Sequence, residues 1–157
     1  MALHRITDEI EIPLTLEDTW DFFTNPRNLQ KLTPDDMGFR HVYEPDRPRV
    51  YPGMYLVYKV APIAGIPLTW ITEITEVKPM ERFVDDQIQG PFGRWHHIHE
   101  FEARGTNTLV RDILYYQMPF GIFGSIAHGL FAKKQIHGIF EFRGKRMKEL
   151  FGEPENV

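Results

Sequence analysis

Residues 94–118 read RWHHIHEFEARGTNTLVRDILYYQM, and from this stretch the rest of the chain can be laid out. Two runs rich in aromatic and β-branched residues flank Gly105-Thr106-Asn107, which reads as two strands joined by a tight turn. Side chains alternate along a strand, so Trp95, His97, His99 and Phe101 share one side while Arg94, His96, Ile98 and Glu100 share the other. The Trp and the Phe mark the first set as the buried side, which leaves His96 toward solvent. A turn centred near Gly105-Thr106 sets Phe101 opposite Val110, His99 opposite Asp112, His97 opposite Leu114 and Trp95 opposite Tyr116. A second turn around residues 90–92 brings Asp85 near His97 and Phe83 near His99.

Working outward, the runs GFRHVYE, MYLVYKVA, LTWITEITEV and RFVDDQI have the same strand character, with turn signals at Pro52-Gly53, Gly65, Lys78-Pro79 and Gly90-Pro91. Short turns of this kind imply an antiparallel meander. Before it, LHRITDEIEI (Leu3 to Ile12) reads as a strand ending at Pro13. LTLEDTWDFFTNPRNLQKLTP reads as two short helices broken at Asn25-Pro26 and stopped by Pro34, with Trp20, Phe23, Leu29 and Leu32 facing the body of the protein. After the loop PFGIFG, residues 125–151 read as one long helix with Gly129, Ala132, Ile136, Ile139, Phe140, Met147 and Leu150 on its inward face. Phe131 and Phe142 fall opposite, as loop cover or as a partner surface. The sum is a single α+β domain over residues 1–157: a curved antiparallel sheet and two short N-terminal helices wrapped around a long C-terminal helix, with a hollow between sheet and helix suited to an apolar ligand.

The stretches TWDFFTNPRNLQKLTP, IPLTWITEITEVKPMERFVDDQIQGPFGRWHHIHEFE, GTNTLVRDILYYQMPFG and AKKQIHGIFEFRGKRM cover most of the chain. On them the sequence resembles the SRPBCC superfamily of helix-grip domains, which includes START lipid-transfer domains and birch-pollen-allergen-like proteins. It is most similar to small bacterial stand-alone members often labelled "cell division inhibitor". The resemblance implies a helix-grip fold and a ligand cavity; it implies no reaction, because the superfamily holds carriers, cyclases, hydroxylase subunits and co-chaperones.

Composition removes several function classes. Of 157 residues, 42% are hydrophobic and 25% charged, and the formal charge is −4. No basic stripe exists for phosphate contacts, so nucleic acid is not an expected partner. No run approaches a membrane span, and MALHRITDEIEI has charges where a signal peptide carries its apolar region, so a cytoplasmic protein is expected. Without cysteine, thiol chemistry and Cys-based zinc sites are excluded. Ser125 is the only serine, and no nucleophile elbow, GxGxxG or GK[ST] motif occurs. The glycine-bearing stretch GIFGSIAHGL reads as a flexible gate at a cavity mouth. His128 and His137 read as surface or rim residues of the helix.

The ligand wall is expected from Trp70, Phe83, Trp95, Phe101, Leu114, Tyr116, Ile136 and Phe140, and its polar spot from His97, His99, Asp85 and Asp112. Three readings of that spot stand side by side. In the first, His99–Asp112 and His97–Asp85 are satisfied structural pairs. In the second they orient the polar head of a mostly apolar lipid, polyketide or aromatic ligand. In the third, His97, His99, Asp112 and Asp85 serve as weak catalytic candidates for cyclase, dehydratase or hydrolase chemistry, or two histidines and a carboxylate hold iron or zinc. No HExxH or comparable motif accompanies them, so no metal and no cofactor are expected. A non-catalytic interaction module, as a homodimer, is the remaining alternative.

Overall fold

The computed structural model describes residues 2–42, 46–63 and 65–154. The elements are β1 (His4–Ile12), α1 (Leu16–Phe23), 3-10 turns at Pro26–Leu32 and Asp35–Met37, β2 (Arg40–His41), β3 (Tyr55–Ile63), β4 (Ile66–Lys78), β5 (Arg82–Gln89), β6 (Arg94–Arg104), β7 (Asn107–Gln117), α2 (Gly121–Ala127), a π-turn (His128–Ala132) and α3 (Lys133–Phe151). The seven strands form one antiparallel sheet in the order β1-β7-β6-β5-β4-β3-β2. It is the expected helix-grip architecture.

Local chemistry sets these boundaries. Thr15 caps α1 by accepting from Asp18 N, and Asn25 caps the next turn by accepting from Arg27 N. Between β6 and β7 the chain reverses at Gly105, whose φ of +62° suits glycine. The hairpin register is the expected one, with His99↔Asp112, His97↔Leu114 and Trp95↔Tyr116 as partners. On the other side, Asp85↔His97 and Phe83↔His99 are paired. Register shifts between Ile71 and Thr72 and between Ile74 and Glu76 bend β4 against β5, the usual means of curving a sheet. Trp20 of α1 packs edge-on against Phe83 and Phe101, and Met147 of α3 is fully buried in the same core. Leu114 and Tyr116 form a second core with Ile136 and Phe140.

Several expectations change. The second N-terminal helix is a 3-10 turn, started by Pro26 and capped by Asn25. Only Arg40–His41 of GFRHVYE pair as strand, while Tyr43 and Glu44 lie outside the described residues. The C-terminal helical run begins at Gly121 rather than Ser125 and is interrupted by the π-turn, so its upstream part leaves the phase of the downstream stripe. Gly129 is consequently exposed, and Leu150 in the last turn is 40% exposed while its neighbour Phe151 packs edge-on against Phe22. Arg143, not foreseen, lies buried on the stripe between Phe140 and Met147. Phe131 is 71% exposed, so no loop covers it, and Phe142 is half-buried. His137 is exposed, and the side chain of His128 lies outside the described residues. No described helix is long and apolar enough to cross a membrane.

Candidate ligand site

Between the concave sheet and α3 lies a cavity of about 160 Å³. Trp70, Phe83, Asp85, Trp95, His97 and His99 from the strands and Ile136 and Phe140 from α3 line it. Phe101, Leu114 and Tyr116 do not. They point inward, but Phe101 is covered by Trp20 and Phe23 of α1, and Leu114 and Tyr116 are buried in the second core. Asp112 also stays off the cavity wall; it sits behind the histidines and is 2% exposed. No described residue of α2 or the π-turn lines the cavity. The sequence reading missed Tyr58, Met37, Phe39 and Asn28 on the wall, and above all Arg143.

The polar groups of this wall form one network. His97 Nε2 meets Asp112 Oδ1 at 2.8 Å, and His99 Nε2 meets Asp85 Oδ2 at 2.7 Å. These bonds run diagonally, not between the directly paired residues His99–Asp112 and His97–Asp85, because a twisted sheet brings a long side chain over the i, j±2 neighbour. Arg143 Nη1 from α3 approaches Asp112 Oδ1 at 3.3 Å. His99 Nδ1 is 3.0 Å from Asp112 Oδ1, but off the hydrogen-bond direction. The two imidazole centroids are 3.9 Å apart, and the outer side of His99 stacks on Phe83 at 4.3 Å and 17°.

Protonation follows from this packing. Burial pushes the Asp112 carboxyl up, but the Arg143 guanidinium and the two imidazoles outweigh it and hold the group well below its usual range. Asp85 is likewise lowered: burial opposes ionisation, and His99 with His97 more than offsets it. Both are carboxylates, which only accept, so each Nε2 facing them donates. Burial and the neighbouring His99 lower the His97 pKa, leaving that ring neutral with Nε2–H on Asp112 and a lone pair on Nδ1. For His99, burial favours the neutral ring, but the Asp112 and Asp85 carboxylates prevail and raise its pKa.

Two buried donors in cavity-lining residues, Trp70 Nε1 and Arg143 Nε, have no hydrogen-bond partner among the described residues. Nearby, Tyr58 Oη and Thr72 Oγ1 satisfy each other at 3.2 Å, and burial pushes the Tyr58 phenol up so that it stays protonated.

Comparison with protein families gives a match over residues 12–137 to the family described as polyketide cyclase / dehydrase and lipid transport. Among solved structures, TTHA0849 from Thermus thermophilus is 18% identical, with a TM-score of 0.67 over 94% of this chain and 99% of that one. A START superfamily protein from Mycobacterium smegmatis is 15% identical, with a TM-score of 0.68 over 94% and 99%. Ara h 8.0201 is 13% identical, with a TM-score of 0.59 over the same shares. At these identities the likeness is one of fold. Comparison with curated proteins returns no match.

Proposed function

Because the chain belongs to the polyketide cyclase / dehydrase and lipid transport family of the SRPBCC superfamily, we propose that its cavity binds a small, mostly apolar molecule carrying an oxygen acceptor. The observation that carries this reading is a pair of unpartnered donors, Trp70 Nε1 and Arg143 Nε, in residues of a mostly aromatic and aliphatic wall. Buried donors are nearly always satisfied, so donors left over at a cavity mark where a ligand's polar atom sits. Size narrows the class. At about 160 Å³ the cavity is smaller than the ~300–1,000 Å³ of drug-sized pockets and close to the ~150 Å³ of a dry cavity that accepts benzene. An oxygenated compound of one or two rings fits better than a long acyl chain.

A thermal-shift and native mass-spectrometry screen of phenols, aryl ketones, aromatic acids and fatty acids tests the reading, since a ligand of the native state must raise its stability. Ring-sized oxygenated compounds should bind. Trp70→Phe keeps the ring and removes the donor, so the best binder should weaken by roughly tenfold, the worth of one hydrogen bond of about 1 kcal/mol or slightly more. A panel with no binder, or equal binding by Trp70→Phe, counts against the proposal.

One feature favours chemistry on the bound molecule as a second reading. His97 is a neutral imidazole oriented by Asp112, the arrangement of a general base. Proton exchange at an acidic C–H of a bound ketone, fast in wild type and lost in a folded His97→Gln variant, would support it; identical exchange in both would leave a binding role only.

A further inference from the structure

One ligating atom each from Asp85, His97 and His99 lies within 4.8 Å of the others, and all three residues line the cavity. We propose that these three side chains form a site for a first-row divalent transition metal, open to the cavity at its remaining positions. Two imidazoles and one carboxylate are the donor set that suits such ions, whereas Mg²⁺ and Ca²⁺ prefer oxygen.

The spacing brackets that of a metal site. Asp85 Oδ2 is 2.7 Å from His99 Nε2 and 3.8 Å from His97 Nδ1. In a tetrahedral centre with metal–ligand distances of ~2.0–2.2 Å, neighbouring donor atoms stand about 3.3–3.6 Å apart, so the shortest contact must open by about 0.6–0.9 Å and the longest, within 4.8 Å, close by at most about 1.5 Å, shifts that side-chain rotation can supply. His97 and His99 are two apart on the same face of β6, and Asp85 on β5 pairs directly with His97. All three are therefore held by strand backbone rather than by loops.

The groups behind the ligands match what a metal requires. Asp112 accepts from His97 Nε2–H, which fixes the tautomer whose Nδ1 carries a lone pair toward Asp85. The same carboxylate lies 3.0 Å from His99 Nδ1, placed to receive that N–H when Nε2 turns its lone pair to the ion. Arg143 Nη1 holds the same Asp112 oxygen at 3.3 Å. The ion takes the place of the proton on His99 Nε2, which passes to Nδ1 or leaves to solvent. Asp85, Asp112, Arg143 and a dication then sum to one positive charge, which an oxyanion entering from the cavity would neutralise. The site does not depend on the organic ligand proposed above, and it is tested with metal alone.

Chelator-treated protein titrated calorimetrically with Zn²⁺ should bind one equivalent. Asp85→Asn should weaken binding by at least tenfold, Asp112→Asn by roughly 10–100-fold as for other groups that orient metal-bound histidines, and His96→Ala not at all. Should Asp85→Asn fail to fold, ring-nitrogen NMR of the wild-type histidines decides: Zn²⁺ should shift His97 and His99 and leave His96 in place. Folded wild type that takes up no Zn²⁺, or shifts confined to His96 or His137, would overturn the assignment.

Discussion

Strand β6 carries the same pair, an imidazole on an aspartate, on both of its faces. On the outer face His96 Nδ1 meets Asp86 Oδ1 at 2.7 Å with the two side chains 30% and 28% exposed. On the inner face His97 and His99 make bonds of 2.8 and 2.7 Å to Asp112 and Asp85, with Asp112 only 2% exposed. Bond lengths are nearly equal, yet the consequences differ because the surroundings differ. Outside, water screens both partners and competes for them, so the pair contributes ~0–1 kcal/mol. Inside, each charge has been taken out of water and depends on its partners, so removing one costs several times more. Burial, more than pairing, separates a surface contact from a candidate site.

The largest break in this comparison is Asp112→Ala, which leaves Arg143 and His99 buried without their shared carboxylate. It should cost about 3–5 kcal/mol of unfolding free energy, read by urea denaturation. A loss below about 1 kcal/mol would place the inner pairs in the same class as the outer one.

A smaller effect is expected from pH in metal-free protein. His97 has a pKa below the ordinary 6.5, so as pH falls below that value the unfolded chain takes up a proton that the native ring refuses, and stability drops. His99 has a pKa above 6.5, so its contribution is complete below that value and is lost as pH rises through its native pKa. Together they give a stability maximum near pH 6.5, with a further loss in acid as Asp112 and Asp85 are protonated below their ordinary range. Stability flat from pH 5 to 8 would contradict these assignments. The smallest change is His96→Ala, expected to shift unfolding by less than about 1 kcal/mol and to leave ligand binding unaltered; a large loss would mean the outer pair also carries the sheet.

These faces were legible because a strand alternates strictly and the Gly105 turn fixes the register of β6 against β7. What the pattern does not carry is the cover over each inward residue. Phe83 and Phe101 look alike in sequence, but α1 lies over Phe101 while Phe83 reaches the cavity. The diagonal bonding of the histidines depends on sheet twist, which no local pattern records. Arg143 was overlooked for a different reason. It stands seven residues after Ile136 and three after Phe140, on their stripe, and only a partner such as Asp112 makes that position tolerable for a charge. A lone Arg on an apolar helix stripe was the available signal.

The most direct test follows the indole N–H resonances of Trp20, Trp70 and Trp95 by NMR while the best binder from the ligand screen is added. Trp70 should move downfield to saturation as its unpartnered N–H gains an acceptor, with Trp20, off the cavity wall, unmoved. Saturable binding that leaves Trp70 in place would contradict a ligand whose polar atom sits against this wall.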